Sequence, residues 1–198
     1  LPQQTLVDWE SSLQHASTLP ITHLSLYNLV IEEHTVFYKH KNKIQKQQAS
    51  EEDSKKMYQM AREHFSTIGW EQYEVSAFCL PGQRSYHNSG YWTGRPFIGL
   101  GPSAYSFWKE KRYRNVPRLH LYSKLLHSGH LPLDDKDSLS KEERIRELLC
   151  IHLRLTEGIP LQKVPPLKEI PSLIEEGLLE KTEHTLRLTE KGLFFYDS

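Results

Sequence analysis

Apolar residues fall into two rhythms along the chain, a helical spacing of three and four and short dense runs, and the alternation predicts its elements. Thr5 and Asp8 read as a capping box, a side-chain oxygen for orphan amides with an acid three residues on, and Leu6, Trp9, Leu13 and Ala16 then share one helical face. Pro20 stops that helix. Residues 23–31 (HLSLYNLVI) are short, apolar and rich in β-formers, which predicts a buried strand. Residues 32–48 are polar, with Lys39, Lys41, Lys43 and Lys46 spread through them, and read as a solvated excursion. Ser50 and Asp53 cap a second helix, on which Met57, Met60, Ala61, His64, Phe65 and Ile68 keep the helical rhythm until Gly69. Residues 70–78 form a second strand candidate. Helix, strand, helix, strand is the order of an α/β layer with a parallel sheet. Two strands do not complete such a sheet, so the remaining strands are expected upstream of Leu1.

Beyond residue 80 the texture changes. Residues 80–116 are built from glycines, aromatics and short apolar pieces, with a turn signal at Pro81-Gly82 and close backbone approach allowed at Gly94, Gly99 and Gly101. After Pro117 helical patterns return, one over 118–126 and one capped by Ser140 and Glu143 that carries Ile145, Leu148, Leu149 and His152. A short apolar helix near Ile170-Ile174, a strand at Leu178-Leu179, a polar hairpin over 180–185 and a strand at Leu186-Leu188 follow. That order resembles a winged-helix module, and it predicts two domains, 1–117 and 118–198.

Composition narrows the function classes. The 198 residues are 37% hydrophobic, 25% charged and 11% aromatic, with a mean hydropathy of -0.61, the profile of a globular chain. No window reaches the ~18 uninterrupted apolar residues of a membrane span. Basic and acidic residues balance at 25 each, so no global field steers the chain to nucleic acid. Two cysteines, Cys79 and Cys150, exclude a disulfide framework and an all-cysteine metal cage, and they fit a reducing, cytoplasmic setting. The start, Leu1-Pro2-Gln3-Gln4, is not a secretory signal and lacks Met, which suggests part of a longer chain.

Candidate chemistry is concentrated in a few places. Winged helices commonly bind DNA, yet residues 166–198 hold four basic residues against seven acidic ones, Asp197 among them, for a net charge of −3. Phosphate neutralisation works against such a face, which favours protein docking over DNA. Lys109, Lys111, Arg112, Arg114 and Arg118 lie among Phe107, Trp108 and Tyr113. They read as a solvated turn between strands, or as a grip on single-stranded nucleic acid or tetrapyrrole carboxylates. Gly99-Leu100-Gly101-Pro102-Ser103 lacks both the third glycine of a dinucleotide fingerprint and a P-loop lysine, and reads as a tight turn. The 11 histidines are dispersed, without the close spacing of a zinc site. His87 stands apart, beside Asn88 and just before Tyr91 and Trp92. An imidazole ligates haem iron while Tyr and Trp faces pack on a macrocycle and Asn bonds its edge. The same four residues also suit a loop tied by its own hydrogen bonds around an aromatic core.

Tyr73-Glu74-Val75-Ser76-Ala77-Phe78, Pro81-Gly82, His87-Asn88-Ser89-Gly90-Tyr91-Trp92 and Gly99-Leu100-Gly101-Pro102-Ser103-Ala104, in that order, resemble the haem-chaperone branch of the oxygen-independent coproporphyrinogen III oxidase-like radical SAM family. The first residues look like the helix after the fifth barrel strand, Ser25-Leu26-Tyr27-Asn28-Leu29 like the sixth strand, and 186–192 like the family's wing and final helix. The resemblance spans nearly the whole chain, and H-N-x-x-Y-W is its most specific part. It implies an α/β fold: the C-terminal part of a partial (β/α)6 radical SAM barrel followed by a small winged-helix-like α+β domain. It further implies haem held by His87, Asn88, Tyr91 and Trp92, with His87 as iron ligand, and handed to an acceptor protein. The backbone of Asn28, Leu29 and Val30 would border the adenine of SAM. The family's [4Fe–4S] cluster is held by C-x-x-x-C-x-x-C, which this chain lacks, so the chain alone is not expected to be catalytic. Coproporphyrinogen III oxidation and a protein-docking module remain the alternatives. Where the family often has His after the glycine loop's alanine, this chain has Tyr105.

Overall fold

A computed structural model describes residues 1–137 and 139–196; Asp197, counted in the acidic balance above, lies outside them. The chain forms two compact units, Leu1–Ser85 with Leu188–Ser198, and Tyr86–Arg187. The change of texture near residue 117 falls inside the second unit, where strands give way to helices.

In the first unit, α1 (Leu6–Thr18) begins at the expected capping box, with the Thr5 hydroxyl and Asp8 carboxylate serving each other's backbone amides. Helix α1 leads to β1 (His23–Ser25), then to two short helices, α2 (Val36–Lys39) and α3 (Lys41–Gln45). The polar excursion is therefore partly helical, and Ile44 is its buried anchor. Helix α4 (Glu51–Thr67) starts at Ser50 and packs Ala61 and Phe65 with Leu13 of α1 and Phe78, with Trp9, Met60 and Trp70 around them. The Trp9 indole donates to the Met57 carbonyl at 2.7 Å, which ties α1 to α4.

The second strand candidate is a hairpin, β2 (Glu71–Glu74) turning at Val75-Ser76 into β3 (Ala77–Cys79). The sheet order is β1-β3-β2 and both pairings are antiparallel, which corrects the parallel layer expected from the element order. The reversal explains a second difference. Strand β1 was expected to run to residue 31, but its partner β3 begins at Ala77, opposite Ser25. Past that point the neighbour turns away after one more bond, Leu26 N–H to the Ser76 carbonyl at 2.7 Å. Tyr27 and Val30 are 70% and 68% exposed. A strand without a ladder partner leaves its amides to water, so residues 26–31 run irregularly. The hairpin is braced by Gln72, whose side-chain amide donates to Tyr58 Oη at 2.7 Å and to the Val75 carbonyl at 3.0 Å.

The second unit opens with α5 (Tyr86–Trp92) and continues into the hairpin β4 (Tyr105–Trp108) and β5 (Lys111–Asn115). Lys109 and Glu110 sit at φ 50° and 60°, the conformation of a two-residue turn that matches strand twist. Lys109 thus sits in an exposed turn, whereas Arg112 and Arg114 are carried on β5. Helix α6 (Leu119–His127), strand β6 (Leu133–Asp137) and helix α7 (Lys141–Leu153) follow, with β6 pairing antiparallel to β5. Ser140 and Glu143 form the expected capping box of α7. The C-terminal elements are β7 (Ile159–Pro160), α8 (Ile170–Glu175), β8 (Leu179–Lys181) and β9 (Thr185–Leu188), in a three-stranded sheet of order β7-β9-β8. Helix α9 (Glu190–Phe195) ends the described chain within the first unit, where Glu190 pairs with Arg62 at 2.8 Å. Two helices, the wing and a terminal helix occur in the order read from the sequence, and strand β6 between α6 and α7 is an addition to that reading.

Candidate functional site

The His87-Asn88-Ser89-Gly90-Tyr91-Trp92 stretch is helical, not a loop: it fills α5. At about 3.6 residues per turn, positions 87, 88, 91 and 92 fall on one side of that helix. The helix has only seven residues, and its neighbours hold it. Arg95 donates to the Tyr86 carbonyl at 3.2 Å and lays its guanidinium over the Tyr86 ring at 4.3 Å. Gly90 leaves room for this, because a Cβ there would lie 2.3 Å from Arg95 Nη2. Gly94, at φ +69°, ends the segment.

Aromatic packing fixes the ring positions. His87 is exposed and meets Tyr91 edge to face, centroids 4.8 Å apart and planes at 86°. Tyr91 in turn meets Phe97 at 4.6 Å and 85°. Such T-shaped pairs are favoured by ring quadrupoles. The Arg154 guanidinium lies 4.4 Å from the Trp92 ring centroid. Asn88 is half-buried and engaged by other residues.

Behind this helix lies a cavity of about 350 Å³, lined by residues of α5, β4, β5 and α7 and by the segment after α5. Tyr91 and Trp92 form part of its wall, whereas His87 and Asn88 do not. Phe97 and Phe107 contribute aromatic faces, and their backbones pair across 2.8 and 2.9 Å bonds. The polar side is an ion triad. Glu147 pairs with Arg144 at 2.5 Å and also with Arg112. Arg144 stacks its guanidinium 4.2 Å from the Phe107 centroid. Burial first, then the adjacent Arg112 charge, holds the Arg144 guanidinium below its ordinary value, with Glu110 opposing them. The Trp92 indole N–H is buried with no hydrogen-bond partner among the described residues.

The glycine turn supports the cavity's edge. A Cβ at Gly99 would sit 2.1 Å from the Tyr105 carbonyl oxygen, so only glycine lets the turn lie against β4. Buried Asn115 donates its side-chain amide to the carbonyls of Gly99 at 3.3 Å and Gly101 at 2.9 Å, and Tyr122 Oη accepts the Gly101 N–H at 3.0 Å. The stretch is a tight turn against neighbouring backbone, in keeping with its sequence, and not a phosphate loop. Tyr105, 57% exposed, lines the cavity with the Arg114 guanidinium 5.7 Å from its ring.

Other candidate positions lie elsewhere. Asn28, Leu29 and Val30 belong to the first unit, in the irregular segment after β1. The Leu29 carbonyl accepts from Gln48 Nε2 at 3.2 Å, while Asn28 and Val30 are exposed. Cys79 is buried in β3 and Cys150 is exposed on α7. Burial, then the Glu71 carboxylate, pushes the Cys79 thiol up to about 11. Among the described residues no group of three His, Cys, Asp or Glu side chains converges as a metal site. An iron–sulfur cluster therefore does not fit the donors of this chain. No helix among the described residues is long and apolar enough to cross a membrane.

Arg95, Phe97, Arg144, Glu147 and Ile151 complete the cavity and were not singled out by sequence. The one local signal was Arg144 and Glu147 at helical spacing among the apolar residues of α7, which periodicity alone assigns to a solvated face.

Comparison with known proteins shows what the chain is similar to. Residues 139–195 match the HemN C-terminal domain model. The chain is 30% identical to the protein named heme chaperone HemW from Bacillus subtilis, over 97% of this chain and 53% of that protein. It is 33% identical to heme chaperone HemW of Synechocystis over 85% of this chain and 42% of that protein. Radical S-adenosyl methionine domain-containing protein 1, mitochondrial, of Bos taurus is 29% identical over 100% of this chain and 50% of its own length. Among solved structures, the coproporphyrinogen III oxidase HemN from Escherichia coli, described as a radical SAM enzyme, superposes with a TM-score of 0.77 at 17% identity. That match covers 100% of this chain and 51% of the other. The chain spans about half the length of the curated relatives it matches.

Proposed function

We propose, for a chain that belongs to the HemN/HemW family along its length and carries the HemN C-terminal domain at residues 139–195, that it binds haem on α5 and passes it to an acceptor protein. The observation that carries this reading is the exposed His87 imidazole, held edge-on to Tyr91 one helical turn away. An imidazole at the surface of a rigid aromatic ladder offers a nitrogen lone pair to ferric iron at little conformational cost. Tyr91 and Trp92 supply flat apolar area beside it, and Asn88 a polar edge. An exposed ligand also suits a carrier better than a store, because cargo seated at the surface leaves without the protein opening.

Within this reading His87 would hold the haem iron and Tyr91 would orient its ring. An iron–sulfur cluster of the kind associated with radical SAM proteins requires thiolates that Cys79 and Cys150 do not provide, so no radical step is assigned to this chain. The backbone of Asn28, Leu29 and Val30 is the proposed border of SAM adenine, with the Leu29 carbonyl already oriented by Gln48. A cytoplasmic location belongs to the same proposal. Oxidation of coproporphyrinogen rests on the HemN likeness, which at 17% identity speaks for the fold alone.

The test is a hemin titration followed at the Soret band, on the chain alone and on the chain with whatever upstream residues its gene encodes. Saturable binding at one equivalent supports the reading. Absence of saturable binding in both samples overturns it.

A further inference from the structure

The cavity behind α5 has a wall and a charge that ligation by His87 does not use. Two guanidiniums, Arg112 and Arg144, share the Glu147 carboxylate, and the Glu110 carboxylate also acts on Arg144. Side chains of Arg144 and Glu147 are only 17% and 16% exposed, so water screens their charges poorly. Trp92 adds a buried indole N–H without an acceptor among the described residues. The opposite walls are the aromatic faces of Tyr91, Phe97 and Phe107. At about 350 Å³ the space lies at the small end of ligand pockets, which run to roughly 1,000 Å³. It suits the edge of a flat ligand rather than a whole macrocycle.

We infer that this cavity is a carboxylate subsite, in which Arg144, Arg112 and the Trp92 N–H receive the acidic side arm of a flat aromatic ligand. The inference rests on the haem reading above and deepens it, since Tyr91 touches His87 on one side and lines the cavity on the other. A tetrapyrrole ligated at His87 and lying along Tyr91 and Trp92 would direct a propionate toward the arginines. Glu147 then acts as an internal competitor that occupies the guanidiniums until the ligand's carboxylate arrives. Guanidinium forks recognise carboxylates through short, charge-assisted bonds, and one such contact is worth about tenfold or more in affinity.

Dissociation constants for hemin and hemin dimethyl ester, measured on the parent chain, Arg144→Gln and Glu147→Gln, test the subsite. The parent should prefer the free acid by about tenfold or more. Arg144→Gln should erase the preference by weakening hemin and leaving the ester unchanged. Glu147→Gln should widen it, because removing the competitor raises the local charge. Hemin and its ester binding the parent equally would overturn the subsite while leaving haem binding intact. Equal weakening of both ligands in both variants would also overturn it, by assigning the triad to structure alone. Failure of both ligands to bind the parent would remove the haem reading and the subsite with it.

Discussion

Asn115 is the hinge pin of the glycine turn, and its replacement has a calculable effect. The side chain is buried, and its amide donates to the carbonyls of Gly99 and Gly101 at 3.3 and 2.9 Å. Each such bond contributes about 0.5–1.5 kcal/mol net, and the longer of the two belongs at the low end. Asn115→Ala should therefore cost about 2 kcal/mol. Asn115→Asp is sterically closer to the parent yet should cost more at pH 7, about 4 kcal/mol, because a carboxylate faces two carbonyl oxygens with no donor to offer. That environment raises the folded-state pKa of the new aspartate above its unfolded value of about 3.9. The unfolded state then binds fewer protons than the folded one between those two values, so the penalty is full above the folded pKa. It shrinks as pH falls toward about 3.9, where a protonated carboxyl donates again. Urea unfolding followed by tryptophan emission, with m-values compared to keep the reference state in view, measures both variants at pH 7 and pH 4.5. An Asn115→Ala change within about 0.5 kcal/mol of the parent, or an aspartate tolerated better than alanine at pH 7, would refute the reasoning.

Phe65 is fully buried against Trp70 and Phe78, centroids 5.4 and 5.0 Å away, so Phe65→Ala should destabilise the first unit by about 3–5 kcal/mol in the same urea assay. Gly99→Ala places a Cβ 2.1 Å from backbone oxygen of Tyr105, and the forced shift should cost about 1–3 kcal/mol, read as a lower unfolding midpoint. Cys79, with its thiol pushed up to about 11 by burial, should resist iodoacetamide at pH 8 while exposed Cys150 is alkylated, as peptide mass spectrometry would report. His23 donates to or accepts from Tyr73 Oη at 2.9 Å, and burial holds its pKa below the ordinary histidine value. Its contribution is thus present above about pH 6.5 and lost as pH falls through the depressed value, and His23→Gln should flatten that acid-side decline in thermal stability.

Several elements were legible because their signals are local. The Thr5 and Ser140 boxes start α1 and α7 through a side chain three residues from its amide, and the α1 and α4 stripes meet in the core around Leu13 and Phe65. The hairpin at 71–79 was not, because its turn uses Val75-Ser76 instead of glycine, asparagine or proline, and the run reads as one strand. Its consequence, the early end of β1, follows from strand pairing that no local pattern records. Helix α5 escaped for a different reason. Seven residues including Asn88, Ser89 and Gly90 carry weak helix propensity, and the segment is helical because Arg95 and the Tyr91–Phe97 contact hold it there. The identities of His87, Asn88, Tyr91 and Trp92 were visible as a motif, and the structure places them on one helix. It divides them as well: Tyr91 and Trp92 face the cavity, whereas His87 stands outside it. The cavity itself gathers residues from 91 to 151, and charged members such as Arg144 look like surface until strands β4 and β5 are brought beside α7.

The account stands on His87 as the iron ligand of haem held on α5. The most direct measurement is resonance Raman of the ferric haem complex of the parent and of His87→Ala, with exposed His127→Ala as control. An iron–imidazole signature present in the parent and the control but absent from His87→Ala is the predicted result. The same signature surviving in His87→Ala would contradict the account.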